Sequence, residues 1–552
     1  MPPRVSEEKA RHRREKDDGK GFLIENYFMV YFIRSKMVSG IFAMVTLALA
    51  GCGSYAPPVG QRLSPTENAR HNDVFATGYD AIMRKYIYPV DIEKIALDGI
   101  KGFAAIDPAL KVEVRNHELV MSLDGETITT SPKPAPNPTD WARLTTSLSF
   151  EARRHSALMR KASAEKIYEA VFDGVLSNLD LFSRYAGADE AKRNRARRDG
   201  FGGIGIRFKL KKEIPVVTEV MPRTPAAEAG LRISDQITDV DGESLSKPRA
   251  AEVVELLRGP TQSKVTIGLY RPSEDRQFNV ILERRHIISP TVYASRQGNI
   301  LKIRVTGFNQ ATARNMATSL EEAKAKAAHI GPLSGIVLDI RGNPGGLLKQ
   351  SVRLADLLLT HGLIVSTRGR HPDSPHYYEA GGRDLANGLP IAVLVDGKSA
   401  SASEIVAAAL QDRGRAVLIG TSSFGKGSVQ TVIRLPNDGE ITLTWSRFVA
   451  PSGYILHGLG VRPSICTSGN PEDIGSLIQS AMIQRLAARK TFVSWRIPGA
   501  RKKADRQKLR DTCPPERHRK NLEFEIAKRV LDDRRLYAQA LELSAGTHQA
   551  RH

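Results

Sequence analysis

Asp396 to Thr431 reads DGKSASASEIVAAALQDRGRAVLIGTSSFGKGSVQT, and the rest of the chain is interpreted from this stretch. The apolar run Ile391–Val395 just before it is a strand. Ser399 to Ser403 alternates serine and alanine, and Glu404 opens an apolar stretch to Leu410. A Ser/Ala turn followed by Glu and then apolar residues marks a helix N-terminus. A serine there lies beside unpaired backbone N–H groups and the positive end of the helix dipole, which suits a nucleophile next to an oxyanion site. Ala416 to Ile419 predicts a second strand, and Phe424-Gly425-Lys426-Gly427 follows. Glycine on each side lets backbone approach closely and holds the lysine in a tight turn. A serine hydroxyl is a weak nucleophile until a base takes its proton. A lysine serves if burial lowers its pKa from about 10.4 towards 7, a shift of ~3 units worth roughly 4 kcal/mol. Such a site must be enclosed and free of carboxylates near the amine. No Asp or Glu lies between Arg413 and Pro436. Gln430, four residues past Lys426, is placed to orient the amine without charging it. On residue types alone, a polar loop with a solvated lysine is the commoner outcome of such a pattern.

SASASE, then FGKG, with glutamine four residues on, resembles the C-terminal processing peptidases, tail-specific serine proteases of the Ser-Lys type. The resemblance implies Ser401 as nucleophile, Lys426 as general base and Gln430 as the residue that positions the lysine. It runs from about Leu176 to Ile465. It implies no cofactor, and the His, Cys, Asp and Glu spacings show no metal-site pattern. The strand Gly335–Ile340 ends in the turn Arg341-Gly-Asn-Pro-Gly-Gly346 before the predicted helix Leu347–Leu359. This turn resembles the family's LDLRxNPGG motif, whose glycine amides contribute to the oxyanion hole. Gly345 or Gly346 is the expected donor, with the N–H of Ala402 as the second. The run LTWSRFVAPSG…HGLGVRP resembles a further family segment, with Ser464 where the family commonly has Asp. His286, His361 and His457 have no matching acidic pattern, and no Ser-His-Asp triad is suggested.

Upstream, Phe201-Gly-Gly-Ile-Gly-Ile-Arg-Phe208 places glycines before an apolar alternating strand. Free N–H groups there suit capture of a peptide C-terminal carboxylate, with β-augmentation along the strand. With the short helix and glycine stop of Pro225–Leu231, the strands Ile237–Val240 and Val265–Tyr270, and the helix Ala250–Leu257, this resembles a PDZ domain over residues 200–285. Gly203, Ile204, Gly205 and Ile206 are the peptide-binding candidates, and Val253 or Leu257 is expected to line the side-chain pocket. Ser234-Asp235 stands where the family has Gly-Asp.

The remainder is read from composition and pattern. At 552 residues the chain holds several domains. The formal charge is +21, and residues 485–552 carry 18 Lys/Arg against 8 Asp/Glu. A solvated basic face, anionic lipid and cell-wall polymer all fit this charge. No familiar nucleic-acid module is present, so nucleic acid is not an expected partner. Met37–Ala50 is an apolar run of 14 residues, about 21 Å as a helix and short for a membrane span. Basic residues before it and small residues after it fit a secretory signal. Leu49-Ala50-Gly51-Cys52 resembles the bacterial lipobox, which implies lipidation of Cys52. The long stretch before Met37 points to Met29 or Met37 as alternative translation starts. The expected location is exported, lipid-anchored and periplasmic, at the outer membrane if the source is Gram-negative. The periplasm permits a disulfide, and Cys466 and Cys513 read equally as a bridge or as two buried thiols.

The expected fold is multidomain α/β (α+β). Residues 1–52 form a signal segment and 53–69 a tether. An α-rich N-terminal domain follows over 70–199, with a hairpin over 112–128. The PDZ domain spans 200–285, a largely parallel peptidase core 286–466, and a basic helical region 467–552. The function implied is a serine endopeptidase acting on exported proteins with exposed apolar C-termini. An adaptor lipoprotein and a homo-oligomer are further partners left open. The alternative reading is a catalytically silent PDZ scaffold of the cell envelope.

Overall fold

The computed structural model describes residues 65–469, 473–499, 502–517 and 521–544. The signal segment, the lipobox with Cys52 and the tether up to residue 64 lie outside the described residues. The expected tether boundary at residue 69 is overrun, because a helix already spans Pro65–Lys85. It packs with the helices Ile92–Lys101, Pro138–His155 and Ala164–Ser177 around Phe75, Tyr79, Trp141 and Phe172. Asp91 and Asn137 cap two of these helices with their side-chain oxygens. The expected hairpin over 112–128 is a three-stranded antiparallel meander, Leu110–Arg115, Glu118–Leu123 and Glu126–Pro132.

This N-terminal domain is continuous with the peptidase core. Its apolar cluster includes Leu435, Ile441 and Leu443, and its short strand Arg184–Ala186 pairs with Glu440–Val449. Ser183 Oγ accepts the Thr444 N–H, and Asp180 accepts from Thr444 Oγ1.

The PDZ domain is an antiparallel sheet with Ile206–Lys211 at one edge, bonded only to Ile214–Val220. The helix Ala250–Leu257 lies beside that edge. Phe201–Gly203 pairs with Arg285–Ile287, so the domain closes two residues beyond the expected boundary. Ser234 adopts φ 78°, the left-handed conformation for which glycine is the usual choice. Asp235 beside it binds the Arg271 guanidinium through both oxygens at 2.8 and 2.9 Å.

The peptidase core is built on a six-stranded sheet. Its order is Val292–Gln297, Ile300–Val305, Gly335–Asp339, Ile391–Val395, Val417–Gly420, Ile465–Cys466. Only the first pair is antiparallel. Every residue of Gly335–Asp339 and Ile391–Val395 is buried, as expected for parallel strands covered on both faces. A second, antiparallel sheet contains Gly362–Arg368, Glu440–Val449 and Ser428–Arg434.

The basic helical region expected beyond residue 466 packs onto the core. Its helices Ile474–Ile483, Leu522–Asp532 and Arg534–Ser544 cover one face of the parallel sheet. Phe524, Ile526, Val530 and Leu531 pack there on Ile300, Val337, Leu394, Val417 and Ile419. Arg341, at the end of Gly335–Asp339, pins this layer by bonding Asp339 twice and Glu523 at 2.7 Å. Cys466 and Cys513 form a disulfide. Among the described residues no helix is long and apolar enough to cross a membrane.

Candidate active site

Ser401 sits at the start of the helix Ala402–Asp412, directly after the strand Ile391–Val395. Its backbone is held at φ 57°, ψ −115°, a region L-residues rarely occupy and one that recurs at functional sites. The turn is fixed from two sides. Ser399 Oγ donates to Ile340 O at 2.9 Å, and Ala400 N–H donates to Asn343 O at 3.0 Å. These bonds join the serine turn to the turn Arg341–Gly346. A Cβ on Gly345, at φ 101°, would lie 2.9 Å from Ser401 Cβ and 3.0 Å from Ala402 N. Glycine is therefore required for the two turns to meet.

The expected oxyanion donors differ in whether their N–H groups are free. The Gly345 N–H is already donated to Asn343 Oδ1 at 2.9 Å, because the asparagine side chain folds back over the turn. Gly345 is thus a spacer and not a donor in this conformation. Among the described residues the N–H groups of Gly346 and Ala402 carry no intramolecular hydrogen bond. Ala402 is the first residue of its helix, where a free N–H is expected.

Lys426 reaches the site through Glu404. The Glu404 side chain is buried and accepts four hydrogen bonds. Oε2 takes the N–H of Ser401 at 2.7 Å and of Lys426 at 2.9 Å, and Oε1 takes the Gly425 N–H at 2.7 Å and the Ser423 hydroxyl at 2.5 Å. One carboxylate oxygen therefore bridges the backbones of the candidate nucleophile and the candidate base. Burial pushes the Glu404 carboxyl above the usual range, and the hydrogen bonds oppose that rise.

Both glycines beside Lys426 are needed. Gly425 holds φ 92° against Gly458, and a Cβ on Gly427 would lie 2.1 Å from His457 N. FGKG and the later HGLG segment thus pack backbone to backbone. The Lys426 amine lies 4.9 Å over the ring centroid of Phe182. Burial pushes it below the ordinary lysine range. Arg184 adds to that shift, while Asp180 and Glu404 oppose it. The expectation of a carboxylate-free surrounding is therefore corrected: the fold brings in Asp180 and Glu404 from outside Arg413–Pro436.

Other expectations are redistributed. No hydrogen bond joins Lys426 Nζ to Ser401 Oγ among the described residues, and the two residues meet through Glu404 instead. The Gln430 amide donates to Ser428 Oγ at 2.9 Å, not to Lys426. His457 packs edge-on against Phe182, with centroids 6.1 Å apart. Burial, with Arg447 and Arg506, lowers its pKa to about 4, which leaves it neutral near pH 7. Asp180, Phe182 and Arg184 join the site from LDLFSRY, in which nothing local signals proximity to Lys426, 244 residues beyond Phe182. Among the described residues no group of three His, Cys, Asp or Glu is placed to hold a metal.

In the PDZ domain a groove of about 340 Å³ runs between Ile206–Lys211 and the helix Ala250–Leu257. Among the described residues the N–H groups of Ile204 and Gly205 carry no intramolecular bond. A Cβ at Gly205, φ 89°, would collide with Thr224 at 2.4 Å. The Ile204 side chain is buried in the core, while Gly203 and Ile206 line the groove. Leu257 lines it as expected, but Val253 points into the core and Val254 takes the groove position. Arg258 stacks at 3.9 Å over Phe201 at its mouth.

Two family models place the chain among serine-type peptidases that carry a PDZ domain. A model described as peptidase family S41 matches residues 299–467, and one described as PDZ domain matches residues 216–271. The "Carboxy-terminal-processing protease" of Bartonella bacilliformis (strain ATCC 35685 / KC583 / Herrer 020/F12,63) is 39% identical over 302 residues, 54% of this chain and 69% of that protein. A "Probable CtpA-like serine protease" of Staphylococcus aureus (strain bovine RF122 / ET3-1) is 32% identical over 332 residues, 60% of this chain and 66% of that protein. A solved photosystem II D1 C-terminal processing protease covers 71% of this chain and 92% of its own at 23% identity, with a TM-score of 0.35. The chain belongs to the carboxy-terminal-processing proteases of peptidase family S41.

Proposed function

We propose that the protein is a Ser-Lys endopeptidase that captures exposed apolar C-terminal tails in its PDZ groove and cuts the chains that carry them. The observation behind this reading is the Glu404 carboxylate, which binds the Ser401 and Lys426 backbones with one oxygen. In the proposed cycle the neutral Lys426 amine takes the Ser401 proton as Oγ attacks the peptide carbonyl. The oxyanion is held by the Gly346 and Ala402 amides, of which one missing donor costs roughly 3 kcal/mol. The Lys426 ammonium then protonates the leaving amine, and water hydrolyses the acyl-enzyme. A tail would add as a strand beside Ile206–Lys211, its carboxylate on the Ile204 and Gly205 amides and its last side chain near Val254 and Leu257. We further propose export and anchoring by lipid at Cys52, with substrates among exported proteins.

One observation favours the rival reading of a silent scaffold: the Lys426 amine rests on Phe182 and not on Ser401. In the peptidase reading the amine swings from the ring to the hydroxyl once a substrate closes the site. Purified wild type, Ser401→Ala and Lys426→Ala should be compared on an unfolded reporter with an apolar C-terminus. Wild type cleaves it, and both variants are folded and inactive. Cleavage by Ser401→Ala at the wild-type rate would sink the assignment, and an inert wild type would favour the scaffold.

A further inference from the structure

We propose that Arg510 is a positioning residue for the Lys426 loop, and that the Cys466–Cys513 disulfide holds it in place, so that full activity requires the oxidised protein. The inference rests on the Ser-Lys reading above.

The helix Lys503–Arg510 is strongly basic and buries none of its residues. At its C-terminal end Leu509 packs against the core, Thr512 just beyond accepts from Arg462, and Arg510 makes the bonds that reach the site. Its Nη1 donates to Leu459 O at 2.6 Å and its Nη2 to Ser423 O at 3.0 Å. Ser423 in turn gives its hydroxyl to Glu404 and accepts the Val461 N–H at 2.8 Å. Arg510 therefore holds the residue that orients the carboxylate on which Ser401 and Lys426 both hang. Among the described residues it has no carboxylate within ion-pair distance, and Glu404 acts on its charge from beyond Ser423.

Three residues on, Cys513 is fully buried and bonded to Cys466 at the end of the parallel sheet. The segment continues along the site. Glu516 O accepts the Gly397 N–H at 2.7 Å and the Thr421 hydroxyl at 3.1 Å. Residues 510–516 thus bond to the loops on both sides of the dyad, with the disulfide at their centre.

The bridge is open to chemistry from one side. Cys466 lines a cavity of about 560 Å³ together with Arg462, Ser464 and Ser468. A dithiol thiolate attacks Cys466 Sγ there, and Cys513 leaves as a thiolate and takes a proton. The second thiol of the reagent then displaces Cys466 as its own thiol. Two electrons and two protons pass to the protein, and the dithiol becomes a disulfide. Freed from Cys466, the segment no longer fixes Arg510.

The test uses the full chain and the same reporter. Oxidised wild type, dithiol-treated wild type, the Cys466→Ser/Cys513→Ser double variant and Arg510→Met are compared for kcat, KM and the pH profile of kcat. Titratable groups facing Glu404 and Lys426 are Asp180, Arg184, Arg510 and Tyr454, with His457 across Phe182. Loss of the Arg510 cation favours protonation of the Glu404 carboxylate with which it interacts. Arg510→Met should lower kcat about tenfold with KM little changed. The acid limb of its profile should move to higher pH, which a merely structural loss would not do. Reduction should lower kcat similarly and reversibly, and the double variant should sit at the reduced level with or without dithiol. Unchanged kcat in fully reduced protein, or an unshifted acid limb in Arg510→Met, would overturn the proposal. If reduction unfolds the protein, the Arg510→Met profile alone decides. An oxidised wild type without activity would instead overturn the peptidase reading on which the proposal stands.

Discussion

Glu404 is the residue on which the site turns. Four donors converge on its carboxylate in a buried setting, two of them the backbones of Ser401 and Lys426. A glutamine there offers one acceptor oxygen and turns an N–H towards the remaining donors. Glu404→Gln should therefore cost about 3 kcal/mol of stability, read from the urea midpoint, and abolish cleavage. A variant with normal stability and activity would mean that the carboxylate is incidental. Part of this residue was legible in the sequence, because a glutamate opening an apolar run after serines reads as a helix start. The rest was not. Its partners at 423, 425 and 426 come from the next strand–loop unit, and no spacing rule joins them. The same limit explains Gln430, whose position four residues past the lysine says nothing of the bulge at Val429/Gln430 that places its amide near Ser428.

At the scale of elements, two turns are pressed together to make the site. The glycine turn Arg341–Gly346 and the serine turn Ser399–Ser403 share the bond from Ala400 N–H to Asn343 O. Gly345→Ala places a methyl group 2.7 Å from Ala400 O at φ 101°, so the serine turn must move. Kcat should fall about a hundredfold with the fold retained, since small misplacements of a nucleophile carry penalties of that order. Wild-type kcat in this variant would show that the turns are independent. Both turns were readable as strand–turn–helix units, because their glycines, serines and flanking apolar runs are local signals. Which glycine keeps a free amide was not, since that depends on the Asn343 side chain folding back onto Gly345.

At the scale of the molecule, the peptidase core is a shared structure. The N-terminal domain supplies Phe182 beneath the Lys426 amine, and the C-terminal helices cover the second face of the parallel sheet. A chain ended after Thr467 would expose Ile300, Val337, Leu394, Val417 and Ile419 to water. It should be insoluble or molten by circular dichroism and inactive, whereas a cooperative melt would show the core to be self-sufficient. The basic charge of residues 485–552 masks in the sequence the apolar stripe of Phe524, Ile526, Val530 and Leu531. The order of the domains and the parallel character of the sheet were legible, because continuous apolar strands alternating with helices admit few other folds.

A neutral Lys426 base, as proposed, leaves its signature in the pH dependence of kcat. Wild type and Lys426→Ala are assayed on the unfolded reporter from mildly acidic to alkaline pH. With the amine pushed down by burial and by Arg184, the neutral fraction grows as pH rises through that lowered value. Wild-type kcat should climb and level off below the ordinary lysine range, while Lys426→Ala stays inactive throughout. A rise delayed to the ordinary lysine range, or a variant that cleaves with the wild-type profile, would rule out Lys426 as a neutral base.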